Sequence, residues 1–524
     1  MGGERAWSKL VVSGMFLVAM IAPWPGLISG RDPLSAVETE KRELAAKPGF
    51  PRERKEFREF PRRVDAYLAD HFGFRESLIR GHSWLLYFGL RTSPSDRVIV
   101  GRHGWLFYDG RAADDGDPIA DFRGIPPLSF AELERWRWSF QNQHDWLRAH
   151  GRDHVVVLVP AKETVYPEHF PRAYTRLGPP VIEQIRRHLV ERTDVPVVDL
   201  TPALIAAKEV APVYFEGDTH WNPFGAYVGY REIVKRLGMM VPGMEPMPEE
   251  GFVREEKIGT GGDLALMMRL HDRFRQTWVF MNPVKPLQAE IEALGEGDMA
   301  ELISRVDDPG LPKAGILRDS FTVFLVPYLS EHFSSAHYMW ARTGFDMGLI
   351  GRTEPDVVLQ IIADRAFRKG RRYPVDMERF AVRERFDRAE PGRVLGSSGG
   401  FPGLEAGPGS RLELGEDGVW VVNEQGGPSV KMPVPASVGT RLPIIRWRLE
   451  AMERIDVSMS WESSSPDTWG GYGRRATPMT VPEGTHEVTW AIVDPDSQGL
   501  LTLHLGRRPG RVSIQSLEIR LIDR

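Results

Sequence analysis

A carboxylate and an imidazole stand two positions apart in the segment FEGDTHWNPFGAYVGYREIVKRLG. Asp218 and His220 are followed at once by Asn222 and Pro223, which are preferred at the cap and at the first position of a helix. We therefore expect the DTH segment to be held just before a helix begins. A carboxylate this close to an imidazole can orient it as a general base, although the same pair also occurs as a turn residue and an ordinary loop histidine.

A serine about a hundred residues further along the chain could be the nucleophile for such a base. Ser320 ends the segment AGILRDSF, where an apolar run gives way to polar sequence. Serine catalysis needs a base that takes the hydroxyl proton and a carboxylate that orients the base. Open α/β sheets place their ligands at the C-terminal ends of parallel strands. Ser320, His220 and Asp218 are therefore the candidate catalytic residues.

The sequence patterns around these residues predict an α/β fold. The apolar runs HVVVLVP, VPVVDL, AGILRDSF and PDVVLQIIADR alternate with helical patterns, which predicts a parallel sheet with helices on both faces. Upstream, two helices are expected around Gly73, followed by a hairpin in DRVIVGRHGWLFY. Residues 244–311 interrupt the alternation, and we expect them to form a mostly helical insertion at the rim of the strand ends.

The C-terminal part of the chain differs in composition and in residue pattern. Residues 386–410 are rich in Gly, Pro and Ser and are predicted to be a linker. Residues 411–524 contain short alternating strands separated by turn signals, which predicts a β-sandwich. Its segment SWESSSPDTWGGYGRR is the expected glycan-contact loop, because aromatic faces and arginines suit sugar rings and uronate groups. Burial in the core is the alternative for its tryptophans, which are Trp420, Trp447, Trp461, Trp469 and Trp490.

Composition excludes several classes of function. A chain of 524 residues is too long for one core, so two or three domains are expected. Its 67 basic and 72 acidic residues give a net charge of −5, which provides no electrostatic attraction for nucleic acid. The chain has no cysteine, which rules out disulfides, thiolate metal sites and a cysteine nucleophile.

The N-terminal sequence predicts export. Arg5 and Lys9 precede the apolar run LVVSGMFLVAMIA, the pattern of a secretory signal or a signal anchor. Residues 1–30 are therefore expected to be a signal anchor or signal peptide, and residues 31–56 a stalk. Basic residues before the run place the body of the protein outside the cytoplasm. We expect a periplasmic protein anchored to the inner membrane.

Several blocks of sequence resemble one known family. GDTHWNPFGAY, VIVGRHGWLFYDG, VPAKETVYPEHFP, GTGGDLALM, RDSF…VPYLSEHF and EPDVVLQIIADR are similar to blocks of the SGNH-hydrolase-like AlgX/AlgJ family of alginate O-acetyltransferases. The helical FREFPRRVDAYLADHFGFRESLI is similar too, so the resemblance covers roughly residues 57–365. It implies an SGNH-hydrolase-like catalytic domain over residues 57–385, with Ser320, His220 and Asp218 as its triad. Arg318 departs from the family, which usually has glycine there.

The resemblance also implies a function. It points to transfer of an acetyl group through a Ser320 acyl-enzyme onto hydroxyls of an exported polysaccharide, alginate or another exopolysaccharide. The backbone N–H of Ser320 is the one oxyanion donor assigned, no cofactor is expected, and a membrane-bound acyltransferase partner would supply the acetyl group. A polysaccharide acetyl esterase would use the same triad with water as acceptor. A non-catalytic glycan-binding scaffold of an export complex is the third possibility.

Other polar and aromatic residues are weaker candidates. Asp263 is expected to hold a turn, and Arg365 could pair with a sugar carboxylate or lie on the surface. His332 and His337 could join Asp218 at a metal, but their spacing fits no known ligand pattern, so no metal is predicted. For each candidate in substrate binding, a place in the core or on a solvated loop is the alternative. These candidates are Lys162, Tyr166, Trp221, Tyr338 and Arg342.

Overall fold

The computed structural model describes most of the chain downstream of the predicted anchor and stalk. The described residues are 13–14, 45–71, 74–113, 116–297, 299–340, 347–369, 385–390, 393–395, 401–433, 441–463, 479–492, 497–506 and 509–523. None of the helices among them combines the length and the apolar character that crossing a membrane requires. The predicted signal segment, residues 1–30, lies outside them except for residues 13–14.

The described residues form α-helices and β-strands along the whole chain. The helices are α1 Arg54–Asp70, α2 Arg75–Trp84, α3 Pro118–Arg123, α4 Phe130–Ala149, α5 Lys162–Val165, α6 Val181–Arg192, α7 Thr201–Ala207, α8 Pro223–Gly238, α9 Asp263–Met267, α10 Val326–Ser330, α11 Met347–Thr353 and α12 Arg365–Lys369. The strands of the N-terminal two-thirds are β1 Val98–Val100, β2 Leu106–Tyr108, β3 Asp153–Val159, β4 Val197–Asp199, β5 Phe252–Thr260, β6 Arg275–Pro283, β7 Glu290–Leu294, β8 Glu301–Arg305, β9 Lys313–Arg318, β10 Ser335–Trp340 and β11 Val357–Ala363. The C-terminal strands are β12 Arg393–Leu395, β13 Glu405–Ala406, β14 Arg411–Leu414, β15 Val419–Asn423, β16 Ser429–Pro433, β17 Arg441–Ala451, β18 Ile455–Ser463, β19 Met479–Val481, β20 Gly484–Ala491, β21 Ser497–His504 and β22 Gly510–Asp523.

The chain divides into two compact units. The first unit comprises Met1–Ala112, Phe215–Thr219 and Ile258–Thr277. The second unit comprises Ala113–Tyr214, His220–Lys257 and Trp278–Arg524.

The first unit has the two helices and the hairpin that the sequence predicts. Helices α1 and α2 flank Gly73, and β1 pairs antiparallel with β2. The hairpin packs on α9 through a buried cluster that includes Tyr87, Leu106, Leu264 and Phe274. Phe215–Thr219, which includes the first two residues of the DTH segment, belongs to this unit as well.

The seven-stranded sheet that ends near Ser320 belongs to the second unit and has the order β4-β3-β11-β9-β10-β8-β7. Strands β4, β3, β11, β9 and β10 are parallel, and β8 and β7 continue the sheet antiparallel. Residues 155–159 of β3 and 357–362 of β11 are completely or almost completely buried, so both faces of the sheet centre are covered. The predicted parallel α/β sheet is thereby confirmed.

The predicted helical insertion is wrong. Residues 244–311 form the strands β5 to β8, with the short α9 as their helical part in the described residues. All five residues of the edge strand β7 are exposed, and so short a run is too weak a signal to identify a strand from the sequence. Strand β10 was missed as well, because its sequence SAHYMW mixes polar and aromatic residues.

The C-terminal region is a β-sandwich, as predicted. One sheet has the order β14-β15-β22-β17-β20 with β12 on β22, and the other has the order β13-β16-β21-β18-β19. Strands β12 and β13 lie within the predicted linker, so its described residues pair with the sandwich. Trp447 and Trp490 are buried in the core, whereas Trp469 and residues 464–475 of the predicted glycan loop lie outside the described residues. Glycan binding by this domain stays a prediction.

Candidate active site

The turn that carries Ser320 is anchored by the residue before it. Strand β9 ends at Arg318, and Ser320 opens a 3₁₀ turn whose cap is Asp319. The Asp319 carboxylate accepts the backbone N–H of Phe321 at 3.0 Å and that of Ala363, at the end of β11, at 2.9 Å. Burial raises the pKa of Asp319, against the lowering effect of these amides and of Arg365. Asp319 therefore ties the Ser320 turn to the neighbouring strand.

His220 approaches Ser320 from the segment before α8. Its Nε2 atom lies 2.8 Å from the Ser320 Oγ. The predicted cap is present, since Asn222 is fully buried and its side-chain oxygen accepts the N–H of Gly225 at 2.9 Å. A Cβ on Gly225 would lie 2.1 Å from the carbonyl oxygen of Val213. Only glycine therefore allows α8 to begin this close to the backbone of Val213.

Trp221 joins the histidine segment to the serine turn. Its indole N–H donates to the carbonyl oxygen of Phe321 at 2.8 Å, and the two rings meet edge to face with centroids 5.6 Å apart. Trp221 is fully buried. Trp221 is the residue after His220 and its partner is the residue after Ser320, so this hydrogen bond holds the two segments together. The prediction that Trp221 binds substrate is corrected accordingly.

Arg365 is a residue of the site whose proximity to Ser320 the sequence did not reveal. It is the first residue of α12, two positions beyond the end of β11, and its Nη2 lies 3.5 Å from the Ser320 Oγ. The guanidinium stands over the Phe321 ring, 5.9 Å from its centroid. The sequence did contain an indication of this proximity. Arg365 follows the apolar strand end IIAD, just as Ser320 follows β9, and parallel strands end at the same edge of a sheet.

Asp218 belongs to the first unit, where the GTGGDL segment holds it. Its Oδ2 accepts the backbone N–H of Asp263 at 3.0 Å. The Asp263 carboxylate in turn accepts the N–H and the hydroxyl of Thr219, at 2.8 and 2.6 Å. A Cβ on Gly262 would lie 1.9 Å from the Asp218 Oδ2, so glycine is needed for this close approach. The predicted turn-holding role of Asp263 is confirmed.

Buried carboxyl groups lie behind the strand ends of the second unit. Glu163 follows β3 and Asp364 follows β11. Burial raises the pKa of Glu163 to about 7 and that of Asp364 well above its usual range. Burial also raises the pKa of Asp121 to about 6, although Arg368 donates a hydrogen bond to it. The charge of Arg365 lowers the pKa of Glu163 and of Asp319, so this arginine lies among acids as well as beside the serine.

Three of the predicted substrate-binding residues are core residues of this structure. Tyr338 is fully buried and its hydroxyl lies 2.8 Å from the Ser330 Oγ, and the Tyr166 hydroxyl accepts the N–H of Val213 at 2.9 Å. Lys162 is 3% exposed. Their side chains are covered by tertiary packing, so the prediction of substrate contact is corrected. Arg342 lies outside the described residues.

One residue of the weak metal hypothesis has another partner. The Nε2 atom of His332 lies 2.8 Å from the hydroxyl of Tyr230, and both side chains are buried. Burial lowers the pKa of His332 to about 4, which keeps its imidazole neutral. His332 is thus part of the packed interior beneath α8.

Comparison with known proteins gives the class that this sheet and its serine edge resemble. Residues 98–308 match the family described as "SGNH hydrolase-like domain, acetyltransferase AlgX". This range includes Asp218 and His220 and ends before Ser320. The resemblance to the AlgX/AlgJ family is confirmed.

Individual relatives carry the same family names. The chain is 28% identical over 192 residues to the probable alginate O-acetylase AlgJ of Pseudomonas syringae pv. tomato, a match that covers 36% of this chain and 46% of that one. It is 28% identical over 183 residues to AlgJ of Pseudomonas aeruginosa, covering 34% and 42%. The chain thus spans less than half the length of these relatives. The structure of Pseudomonas aeruginosa AlgX aligns over 84% of this chain and 96% of that one, with 17% identity and a TM-score of 0.37.

Proposed function

We propose that the chain is a serine-dependent O-acetyltransferase that acts on hydroxyl groups of an exported polysaccharide. The observation that carries this proposal is the 2.8 Å approach of His220 Nε2 to Ser320 Oγ at the C-terminal edge of a parallel sheet. That geometry is what a base needs to take a hydroxyl proton from a nucleophile.

In the first half-reaction the Ser320 oxygen attacks the acetyl carbonyl of the donor while its proton passes to His220. The tetrahedral intermediate collapses when the bond from the acetyl carbon to the donor breaks, and His220 returns the proton to the leaving group. The negative oxygen formed in between needs donors. We assign the backbone N–H of Ser320 and the guanidinium of Arg365, whose Nη2 is 3.5 Å from the Oγ.

In the second half-reaction a sugar hydroxyl attacks the acetyl-serine. His220 takes the proton of the sugar hydroxyl, the ester bond to Ser320 breaks, and the serine recovers its proton from His220. Asp218 is proposed to orient the imidazole in both halves. Its spacing of two residues from His220 supports that role, as does the hydrogen bond from Asp263 that fixes its carboxylate.

The acceptor decides between transfer and hydrolysis. The same residues would make an acetyl esterase if water attacked the acetyl-serine in place of a sugar. The relatives, which are named as alginate O-acetylases, favour transfer, and an alginate-like polymer is the first acceptor to try. A membrane-bound acyltransferase as acetyl donor, and a periplasmic site of action at the inner membrane, belong to the same proposal and rest on the export signal of the sequence.

Removal of Ser320 tests this function. Ser320→Ala should abolish acetyl transfer to polysaccharide and the burst of product from an activated aryl acetate, because no acyl-enzyme can form. His220→Ala should be nearly as damaging. Asp218→Asn should lower the rate on the order of 10⁴-fold, because the imidazole would hold the wrong tautomer. Combined changes should cost no more than the largest single one, since the residues act together.

A second serine provides the control. Ser330→Ala also removes a buried hydroxyl, the one beside Tyr338, and should leave the burst unchanged. A folded Ser320→Ala protein that still acetylates or deacetylates polysaccharide at the parent rate would defeat the proposal. Release of acetate with no transfer to any polymer of the host would establish the esterase instead.

A further inference from the structure

Helix α2 of the first unit turns its polar side inward. Glu76, Arg80, Ser83 and Tyr87 recur at spacings of three and four, so they share one face of the helix and of the π turn that continues it to Gly89. Glu76 pairs with Arg269 at 3.6 Å, and Arg80 donates to Asp272. Ser83 and Tyr87 are 3% and 4% exposed. The face that meets the core of this unit is thus made of ion pairs and hydroxyl groups.

The opposite side of the same segment is apolar and open to solvent. Leu78, Trp84, Leu85, Phe88 and Leu90 form what we call the apolar patch, with exposures of 56%, 53%, 53%, 37% and 64%. Trp84 and Phe88 contact each other with ring centroids 5.9 Å apart. An ordinary surface helix shows the reverse arrangement, with its charged face in water. A contiguous exposed apolar surface of this kind marks a place where something binds.

The charge of the surrounding sequence indicates what binds. Residues 45–97, which form the two helices and their flanks, contain eleven Lys and Arg and seven Asp and Glu, within a chain of net charge −5. Aromatic and leucine side chains beside an excess of basic residues are the pattern of a segment that lies in the interface of an anionic bilayer.

We propose that the apolar patch docks the first unit onto the surface of an anionic lipid bilayer. The predicted anchor, within residues 1–30, precedes helices α1 and α2 in sequence. A tether of that kind keeps the patch at a high effective concentration near lipid, so a weak interfacial contact is enough to hold it there. The docking is a second membrane contact beyond the anchor, and it does not depend on the acetyl transfer proposed above.

The absence of cysteine makes the test direct, because any introduced cysteine is unique. The full-length chain with Leu85→Cys or Phe88→Cys is labelled with a fluorophore and reconstituted into vesicles of phosphatidylcholine and phosphatidylglycerol. Nitroxide-bearing lipid should quench the fluorescence of both labels. Aqueous iodide should quench them much less in the presence of vesicles than in their absence. Met239→Cys is the control, because Met239 is 74% exposed and lies outside the patch. Its label should respond to iodide and not to the lipid quencher.

The anchor is present in every variant, so a difference between labels belongs to the patch. Labels at 85 and 88 that respond to iodide as the one at 239 does would overturn the proposal. Shielding from iodide without quenching by lipid would overturn it as well, since protein, from the N-terminal segment or a second copy, would then cover the patch. Lipid quenching that increases with the phosphatidylglycerol fraction is the expected result.

Discussion

Replacing Trp221 by phenylalanine should separate the two reacting side chains without removing either of them. Phenylalanine keeps an aromatic ring next to Phe321 but loses the indole N–H that reaches the Phe321 carbonyl oxygen at 2.8 Å. That carbonyl belongs to the residue directly after Ser320, and the indole to the residue directly after His220. The variant therefore removes a side-chain hydrogen bond that joins the His220 segment to the Ser320 turn.

The structure sets the size of the expected effect. Loss of a buried donor leaves its acceptor without that partner, at about 1–3 kcal/mol of stability. The six-membered ring of the indole packs on Gly229, where an added Cβ would lie 3.2 Å from its Cζ3 and Cη2 atoms. Removing that ring opens a small cavity, which costs roughly a further 1–2 kcal/mol. For catalysis, a shift of about 1 Å between nucleophile and base can lower the rate about 10²-fold.

The assay is the pre-steady-state burst from an activated aryl acetate, combined with denaturant unfolding. Trp221→Phe should lower the burst rate by one to two orders of magnitude. Adding Gly229→Ala should restore part of the lost stability, because the new methyl group fills the vacated space and alanine favours the helix. In the parent chain the same Gly229→Ala change should destabilise, since Leu200 Cδ1 and the indole are both at 3.2 Å.

A second buried tryptophan serves as a control, because its replacement should lower stability without affecting the site around Ser320. Trp447 is fully buried in the sandwich, and its indole nitrogen has no hydrogen-bond partner among the described residues. Trp447→Phe should therefore destabilise through its cavity alone and leave acylation of Ser320 unchanged. A Trp221→Phe protein that acylates at the parent rate would refute the idea that this indole sets the distance between His220 and Ser320.

Two further variants address the groups around the site. The pKa of Glu163 is about 7 in the folded protein against 4.5 ordinarily, so the folded state keeps a proton that the unfolded chain releases between these values. Stability should therefore fall as pH rises through that window, by on the order of 3 kcal/mol, and Glu163→Gln should remove this part of the slope in unfolding curves measured at about pH 5 and about pH 8. Gly262→Ala should displace Asp218, because the new Cβ would lie 1.9 Å from its Oδ2, and the burst should fall sharply. Gly251→Ala, where a Cβ would meet nothing within 4 Å, should not change it, and an equal loss in both variants would contradict the argument.

The apolar face of a strand and the cap of a helix are local properties, so the sequence predicted them well. Asn222 and Pro223 predicted the start of α8, and the continuous apolar runs predicted β3, β9 and β11 with their common polar edge. Because parallel strands end at the same side of a sheet, this was enough to expect Ser320 near His220. Alternating short strands and turn signals likewise predicted the sandwich.

Other features depended on which segments pack together, and no local pattern contains that information. The exposed edge strand β7 has only five residues, too few to reveal a strand in residues 244–311, which were predicted to be helical. The mixed strand β10, which follows that insertion, was missed as well. Tyr166 and Tyr338 have the chemistry of sugar-binding residues, but burial is decided by partners distant in sequence, and both lie in the core. From the sequence alone, Arg365 could equally be a surface arginine. The pairing of β11 with β9 in the sheet places it next to Ser320, and the role of a charged group depends on its neighbours in space.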